Sequence, residues 1–264
     1  MHTKRFAKLV LVSGLVGLLA ACGHAVQTTS GSQYLAGYGA TGPAAVTDAE
    51  IVAAANVEPQ LRFPARLGLA RIDRGGLTAV PAAEAEAWRA LAERLGSGYG
   101  AFVPVSPLIA ALASEADADG CRPHYDSCLA QVVKQVRLGA ARQHLDAVLI
   151  YETFGKSSES SNPLAVTKLA LIGFFLPTEN VKAEGFAQAV LVDVRNGYTY
   201  GTASAVAEQP SHRLTTVGDS SDAHIAARAE AEVRAVANLA SEVEAMVREL
   251  RLALAEGRAA GSLP

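Results

Sequence analysis

Hydrophobic and polar positions change period several times along this chain, and each change marks an element. Arg66 to Ile72 reads as a strand with Leu67, Leu69 and Ile72 pointing inward. Val80-Pro81 opens a helix: proline suits the first helical position, Trp88, Leu91 and Leu95 share a face, and Gly96 is placed to stop it. Ala101 to Val105 is an apolar run suited to a short buried strand, and Ser106-Pro107 starts another helix. Asp126 or Ser127 can cap a further helix in which Leu129, Val132, Val133, Val136 and Ala140 recur at three- and four-residue intervals. Asp146 to Tyr151 follows as an apolar strand with no polar face. The order is strand, helix, strand, helix, strand.

Beyond Tyr151 the pattern is antiparallel. Residues 155–163 form a Ser/Gly/Asn loop ending in Pro163, and Val166 to Phe175 and Phe186 to Val194 read as long strands separated by a polar turn. Asn196-Gly197 lies between Val190-Leu-Val-Asp-Val194 and Tyr198-Thr-Tyr200, which predicts a β-hairpin closed by a two-residue type I′ turn with positive φ at both positions. A long amphipathic helix is expected from Asp222 to Glu256, with Val236, Ala240, Val243, Val247, Leu250 and Leu254 along one seam and Gly257 at its end. The seam packs on the chain's own sheet or, given its nearly heptad spacing, is shared with another subunit. The predicted fold class is α/β (α+β): a mixed sheet of about five to six strands with flanking helices, an antiparallel hairpin and a long C-terminal helix.

The N-terminal pattern is of another kind. Lys4, Arg5 and Lys8 precede an apolar stretch from Leu9 to Ala20, long enough for a signal h-region and short for a bilayer span. Leu19-Ala20-Ala21-Cys22 follows, which resembles the lipobox of bacterial lipoproteins: an aliphatic residue, two small ones, and the thiol that receives diacylglycerol. The resemblance implies a signal peptide over 1–21, cleavage before Cys22, and palmitate-type acyl chains on that cysteine; two buried chains suffice for stable anchoring. Gly23 stands where aspartate favours inner-membrane retention in many Gram-negative lipoproteins, so the outer membrane, facing the periplasm, is the expected location. Residues 22–46, rich in Gly, Ser, Thr and Ala, are expected to be a flexible tether reaching roughly 25 to 30 Å. Gly37-x-Gly39-x-x-Gly42 within it has the spacing of a dinucleotide fingerprint but lacks the strand before and helix after that would aim it at phosphate. Thr47 and Glu50 form a capping box at the start of a single domain over 47–257, with 258–264 as a disordered tail.

Charge and cysteine content narrow the function. Of 23 basic residues, three fall in the signal, leaving 20 against 26 acidic ones, so the mature protein is acidic and has no basic stripe of the kind nucleic acid requires. Nucleic acid is not an expected partner. Cys121 and Cys128, separated by six residues, read as a disulfide in an oxidising periplasm. Free thiols are one alternative. A Cys-x2-His-x3-Cys metal site through His124 is another, with only Asp117, Asp119 and Asp126 nearby to complete it. No metal and no cofactor are expected.

Catalysis finds no constellation. There is no Gly-x-Ser-x-Gly elbow, His24, His144, His212 and His224 are scattered, and Glu230 lies among Arg228 and Arg234 as on a solvated helix face. His24 is expected to be solvated in the tether and His144 to lie at a helix end. The chain is therefore expected not to be an enzyme.

Ala140-Ala-Arg-Gln-His-Leu-Asp-Ala-Val-Leu-Ile-Tyr151, a helix running into an Asp-Ala-Val-Leu strand, and the hairpin Val192-Asp-Val-Arg-Asn-Gly197 carry a further likeness. Over roughly 67–250 the chain resembles the envelope lipoproteins related to the curli secretion component, the penicillin-binding-protein activator lipoproteins and the N-terminal domain of TolB. That group implies an accessory or structural role through protein partners, without catalysis. The chain lacks the two long alternating inserts that would build a membrane barrel.

One apolar segment asks for a partner. Lys168-Leu-Ala-Leu-Ile-Gly-Phe-Phe-Leu-Pro177 is apolar on both faces, whereas a half-exposed antiparallel strand alternates. Phe174, Phe175 and Leu176 are the candidate partner surface, core burial being the alternative. The expected function is a membrane-anchored accessory or structural protein-binding module of the cell envelope, with another envelope protein as partner and self-association open; a small-ligand or metal-binding lipoprotein is the alternative, and an envelope hydrolase comes after it.

Overall fold

The computed structural model describes residues 23–39, 49–113, 129–161, 179–213 and 220–261. Strands β1 (Gly23–Val26), β2 (Ala65–Asp73), β3 (Gly76–Thr78), β4 (Gly100–Pro104), β5 (Ala147–Ser161), β6 (Glu179–Asp193) and β7 (Thr199–Arg213) form one sheet. Its order is β1-β7-β6-β5-β2-β3, with β4 also on β2. Helices α1 (Gly31–Gly39), α2 (Ala49–Ala55), α3 (Ala82–Leu95), α4 (Pro107–Ala113), α5 (Leu129–Arg142) and α6 (Ser220–Gly261) complete the described chain. The sheet is mixed: β2 pairs parallel with β4 and β5, and every other pair is antiparallel.

Strand periodicity distributes the core over both faces of this sheet. Leu67, Leu69, Leu149, Tyr151 and Leu191 face α3 and α6, where Trp88, Leu91, Val236, Val243, Val247 and Leu250 are buried. Their neighbours Ala70, Ile72, Val148 and Ile150 face the other way, against Val132, Val136 and Ala140 of α5. Ile72 is thus inward as expected, but in the second layer. The α6 seam packs on the chain's own sheet: Val236, Ala240, Val243, Val247, Leu250 and Leu254 are all buried within the chain. Around β6 and β7 this layer is built of small residues, Ala183, Ala187, Ala203, Ala205 and Ala207 below Ala227, Ala231 and Ala235. Small side chains let the helix come close; a Cβ on Gly185 would stand 2.1 Å from the Ala231 carbonyl oxygen.

Several expectations are corrected. The stretch read as a coil holds structure: Gly23–Val26 is the seventh strand and Gly31–Gly39 a helix, because a sheet edge supplies backbone partners that composition does not reveal. Gly37 and Gly39 sit in α1, and Gly42 and Thr47 lie outside the described residues. The Ser-rich stretch read as a loop continues β5 to Ser161, paired with β6 from Ala147↔Asp193 to Ser161↔Glu179. Backbone ladders are indifferent to small polar side chains. The strand that precedes β6 in the hairpin is therefore β5, and the expected strand Val166 to Phe175 lies outside the described residues. Ala101 to Val105 gives the edge strand β4, half-exposed rather than buried, because only β2 flanks it. Pro81 caps α3 instead of occupying its first turn, while Gly96 ends it at φ 74° as expected. At its far end α6 runs past Gly257 to Gly261, into the residues expected to be a tail.

The β6–β7 hairpin exists, but its turn is not type I′. Only Gly197 has positive φ, at 80°. Asp193 N–H donates to Tyr198 O (2.8 Å) and Gly197 N–H to Asp193 O (3.1 Å), which makes a four-residue loop. Side chains select it: the Asp193 carboxylate accepts the N–H of Arg195 (2.8 Å), and the Asn196 amide reaches Glu58 O (2.7 Å).

Candidate functional site

The N-terminal strand is fastened at every step. Gly23, His24, Ala25 and Val26 pair with Ser204, Ala203, Thr202 and Gly201, and Gln27 N–H donates to Tyr200 O (2.8 Å). His24 lies between two carboxylates of α6, Nδ1 at 3.2 Å from Glu242 and Nε2 at 3.2 Å from Glu249. It is thus a clasp between strand and helix, not the solvated side chain its sequence context implied. Val26 packs on the main core, and the Tyr198 hydroxyl donates to Thr29 O (2.8 Å). Ser30 and the backbone N–H of Ser32 both donate to Glu58 (2.9 Å each). These bonds, the Ser32 N–H foremost, hold the Glu58 carboxyl below its ordinary range.

Beneath this segment lies a buried polar knot. Asp193 is fully buried, and its Oδ2 accepts the Tyr200 hydroxyl (2.7 Å). That hydroxyl in turn accepts the N–H groups of Leu61 (2.7 Å) and Gln60 (2.9 Å). Burial first, then the Asp193 bond and charge, pushes the Tyr200 phenol far above its ordinary value. Asp193 stands alone in an apolar run, and a lone carboxylate there demands a donor. That signal was legible; the donor's identity was not.

A second knot joins β2, β5 and α3. Arg71 Nε lies 3.0 Å from both Glu84 oxygens, and the Tyr151 hydroxyl donates to Glu84 (2.8 Å). Burial, then the Glu84 charge, drives the Tyr151 phenol far upward. Arg71 also reaches Thr78 (3.5 Å), Thr153 (3.3 Å) and Asp73 (3.7 Å), so its donors are spent within the fold. The cluster ties three elements together and presents no free nucleophile.

On the face opposite α6 the sheet carries an open groove of about 560 Å³. Register sets its floor as two cross-strand rows. Ala25, Thr202, Val190 and Ile150 stand in one, and Gly23, Ser204, Gln188, Glu152 and Ile72 in the other. Val133 of α5 closes one side, and Gln188 donates to Glu152 across the polar row. Further out, Phe154 stacks on Phe186 with centroids 5.1 Å apart; Phe154 is 46% exposed, and Lys156 lies over the Phe186 ring. The arrangement offers apolar contact with a few hydrogen-bonding groups, the chemistry of binding rather than of bond making.

The site residues read from sequence fall elsewhere. Cys22, Cys121, Cys128, Phe174, Phe175 and Leu176 all lie outside the described residues, as does His124. Among the described residues no group of three or more His, Cys, Asp or Glu side chains could hold a metal ion, and no helix is long and apolar enough to cross a membrane. His144 ends α5 as expected, in the left-handed region at φ 56°, with Leu145 N–H returning to Ala140 O (3.0 Å). Glu230 is exposed on α6 as expected, whereas its neighbour Arg228 pairs with the half-buried Glu232 (3.6 Å), and both of these lie over Gly155 of β5.

No family model matches the sequence, and no curated protein matches it. Among solved structures the chain is similar to lipoprotein GNA1162 from Neisseria meningitidis, at 19% identity and a TM-score of 0.30 over 63% of this chain and 97% of that one. It is also similar to the hypothetical protein CT253 from Chlamydia trachomatis, at 13% identity and a TM-score of 0.29 over 69% of this chain and 97% of that one. Neither is named for the curli, penicillin-binding-protein-activator or TolB group that the sequence resembles, and likeness at this level carries no statement about activity.

Proposed function

We propose that this protein is a lipid-anchored lipoprotein of the bacterial envelope, held by acyl chains on Cys22 and serving as an accessory module that binds another envelope protein. The observation that carries the proposal is the succession of features in the N-terminal sequence: basic residues, an apolar stretch, Leu19-Ala20-Ala21-Cys22, and from Gly23 a strand of the folded domain. The outer membrane is the proposed location, from Gly23 after the cysteine. The open sheet face supports a binding role, since Ala25, Val190 and the stacked Phe154–Phe186 pair are left partly uncovered by the described residues. No catalytic step is assigned.

Mass spectrometry of the purified mature chain tests the anchor: an N-terminal cysteine carrying acyl chains is expected, and Cys22→Ser should abolish both acylation and membrane association. Co-purification from solubilised envelope tests the partner. Val190→Glu on the groove floor, and separately Phe174→Ser with Phe175→Ser, should each lose the partner while the fold is retained. Unchanged recovery in all of these variants removes the protein-binding reading. The groove volume favours a second reading, capture of a small apolar ligand, for which native mass spectrometry of the envelope-derived protein would show a bound mass.

A further inference from the structure

If Cys22 bears the lipid, as proposed above, then the position of β1 fixes how the whole domain meets the membrane. Consecutive α-carbons are about 3.8 Å apart, so the acylated residue lies that close to Gly23. Gly23 is already a member of the sheet, paired with Ser204. From there the chain is held without a break through the His24 clasp, Gln27 and Thr29. No coil intervenes to let the domain swing.

The direction follows from topology. β1 is an edge strand with β7 as its sole neighbour, at one extreme of the order β1-β7-β6-β5-β2-β3. It covers β7 only from Gly201 to Ser204, and β7 continues to Arg213, about 30 Å further at roughly 3.3 Å per residue. Lipid is therefore attached partway along a sheet edge and not at the end of the molecule. Past β1 along β7, Val206 O accepts the Asn238 amide of α6 (2.9 Å), which ties the helix to this part of the strand. The adjoining side of α6 carries Arg234 with the carboxylates of Glu230, Glu242 and Glu249, so the seating rests on the short tether at β1 and not on charge. We propose that β1 is an anchor strand that seats the β1/β7 edge, with the adjoining side of α6, directly on the phospholipid surface. The strands then run along the membrane plane, and the β2–β3 edge is raised by five strand spacings, roughly 24 Å. Partners are met by the exposed sheet face and the raised edge, close to the bilayer.

Single cysteines at two exposed positions test this on the full mature lipidated chain, with Cys121 and Cys128 replaced by serine. Glu208→Cys lies on the outer half of β7 and Arg74→Cys on the β2–β3 turn. Each is labelled with a fluorophore in vesicles of phosphatidylethanolamine and phosphatidylglycerol carrying a headgroup-level quencher. Quenching at position 208 should exceed that at position 74 several-fold. Insertion of twelve Gly-Ser residues between Cys22 and Gly23 should bring the two positions to similar, weak quenching. Equal quenching in the uninserted protein, with acylation shown by mass spectrometry and flotation with vesicles, overturns the anchor-strand proposal and leaves the lipoprotein reading standing. A mature chain without acyl mass overturns both.

Discussion

Replacing Tyr200 with phenylalanine removes one oxygen and tests the polar knot beneath the N-terminal strand. The hydroxyl donates to Asp193 (2.7 Å) and accepts from the N–H groups of Leu61 (2.7 Å) and Gln60 (2.9 Å). Gln60 is exposed enough for water to take over its N–H. Leu61 is fully buried, so its N–H is orphaned, at a cost of about 1–3 kcal/mol. Asp193 is also fully buried and keeps the backbone donors of Arg195 (2.8 Å) and Asn196 (3.4 Å) with the Arg195 guanidinium at 3.8 Å, all of them serving the carboxylate from the turn and none replacing the phenol. Loss of a hydrogen bond to a charged group adds about 1.5–3 kcal/mol. The expected destabilisation is about 3–5 kcal/mol, since the ring and its contacts are kept. Tyr198→Phe is the control: its hydroxyl donates to a part-buried carbonyl, Thr29 O, and its loss should cost about 1 kcal/mol. Equilibrium urea denaturation of the mature chain in detergent, followed by circular dichroism, measures both, with a lowered midpoint at unchanged slope. A Tyr200→Phe cost under about 1 kcal/mol, or one equal to that of Tyr198→Phe, would refute the reasoning that buried satisfaction of Asp193 and Leu61 governs this region.

Three further outcomes follow from other contacts. Glu84→Ala strands Arg71 and Tyr151 in a buried site and should cost about 3–5 kcal/mol in the same assay. Gly185→Ala inserts a methyl 2.1 Å from Ala231 O, so α6 must shift on the sheet; a loss of about 2 kcal/mol or more is expected, whereas Gly257→Ala, with open space around it, should leave stability unchanged or slightly raised. Burial raises the phenols of Tyr151 and Tyr200 above their unfolded value of about 10. Their contribution is complete below pH 10. Above it the unfolded chain loses protons that the native chain retains, so stability should fall by about 1.4 kcal/mol per pH unit for each tyrosine. A pH series of urea midpoints that stays flat from 9.5 to 11 would contradict this.

Wherever one period dominated, the sequence alone determined the element. Trp88, Leu91 and Leu95 repeat at helical spacing and are buried on α3; the α6 seam is buried throughout; Leu67 and Leu69 alternate and lie in the core. Side-chain polarity encodes which face of an element is buried, and that is a local property. The solitary Asp193 could likewise be read as needing a partner, and Asn196-Gly197 as a reversal of the chain. The likeness of Leu19-Ala20-Ala21-Cys22 to a lipobox is legible because such a motif is a short linear pattern that needs no tertiary contact.

Tertiary structure alone decided which backbones pair and which distant side chains meet. Gly23–Val26 has no pattern that marks a strand; it becomes one because β7 offers an unpaired edge and α6 offers Glu242 and Glu249 to His24. Ser157 to Ser161 extends β5 because β6 lies alongside, not because serine favours strands. The hairpin loop departs from type I′ because Glu58, far away in the chain, draws the Asn196 amide. The groove exists only as a register between five strands, and its rows gather residues from 23 to 204 in the sequence. Local patterning fixes what each segment can be, since propensity and amphipathicity act over a few residues. Pairing across the sheet is non-local, and it turned a stretch that read as a tether into the strand that fastens the N-terminus to the domain.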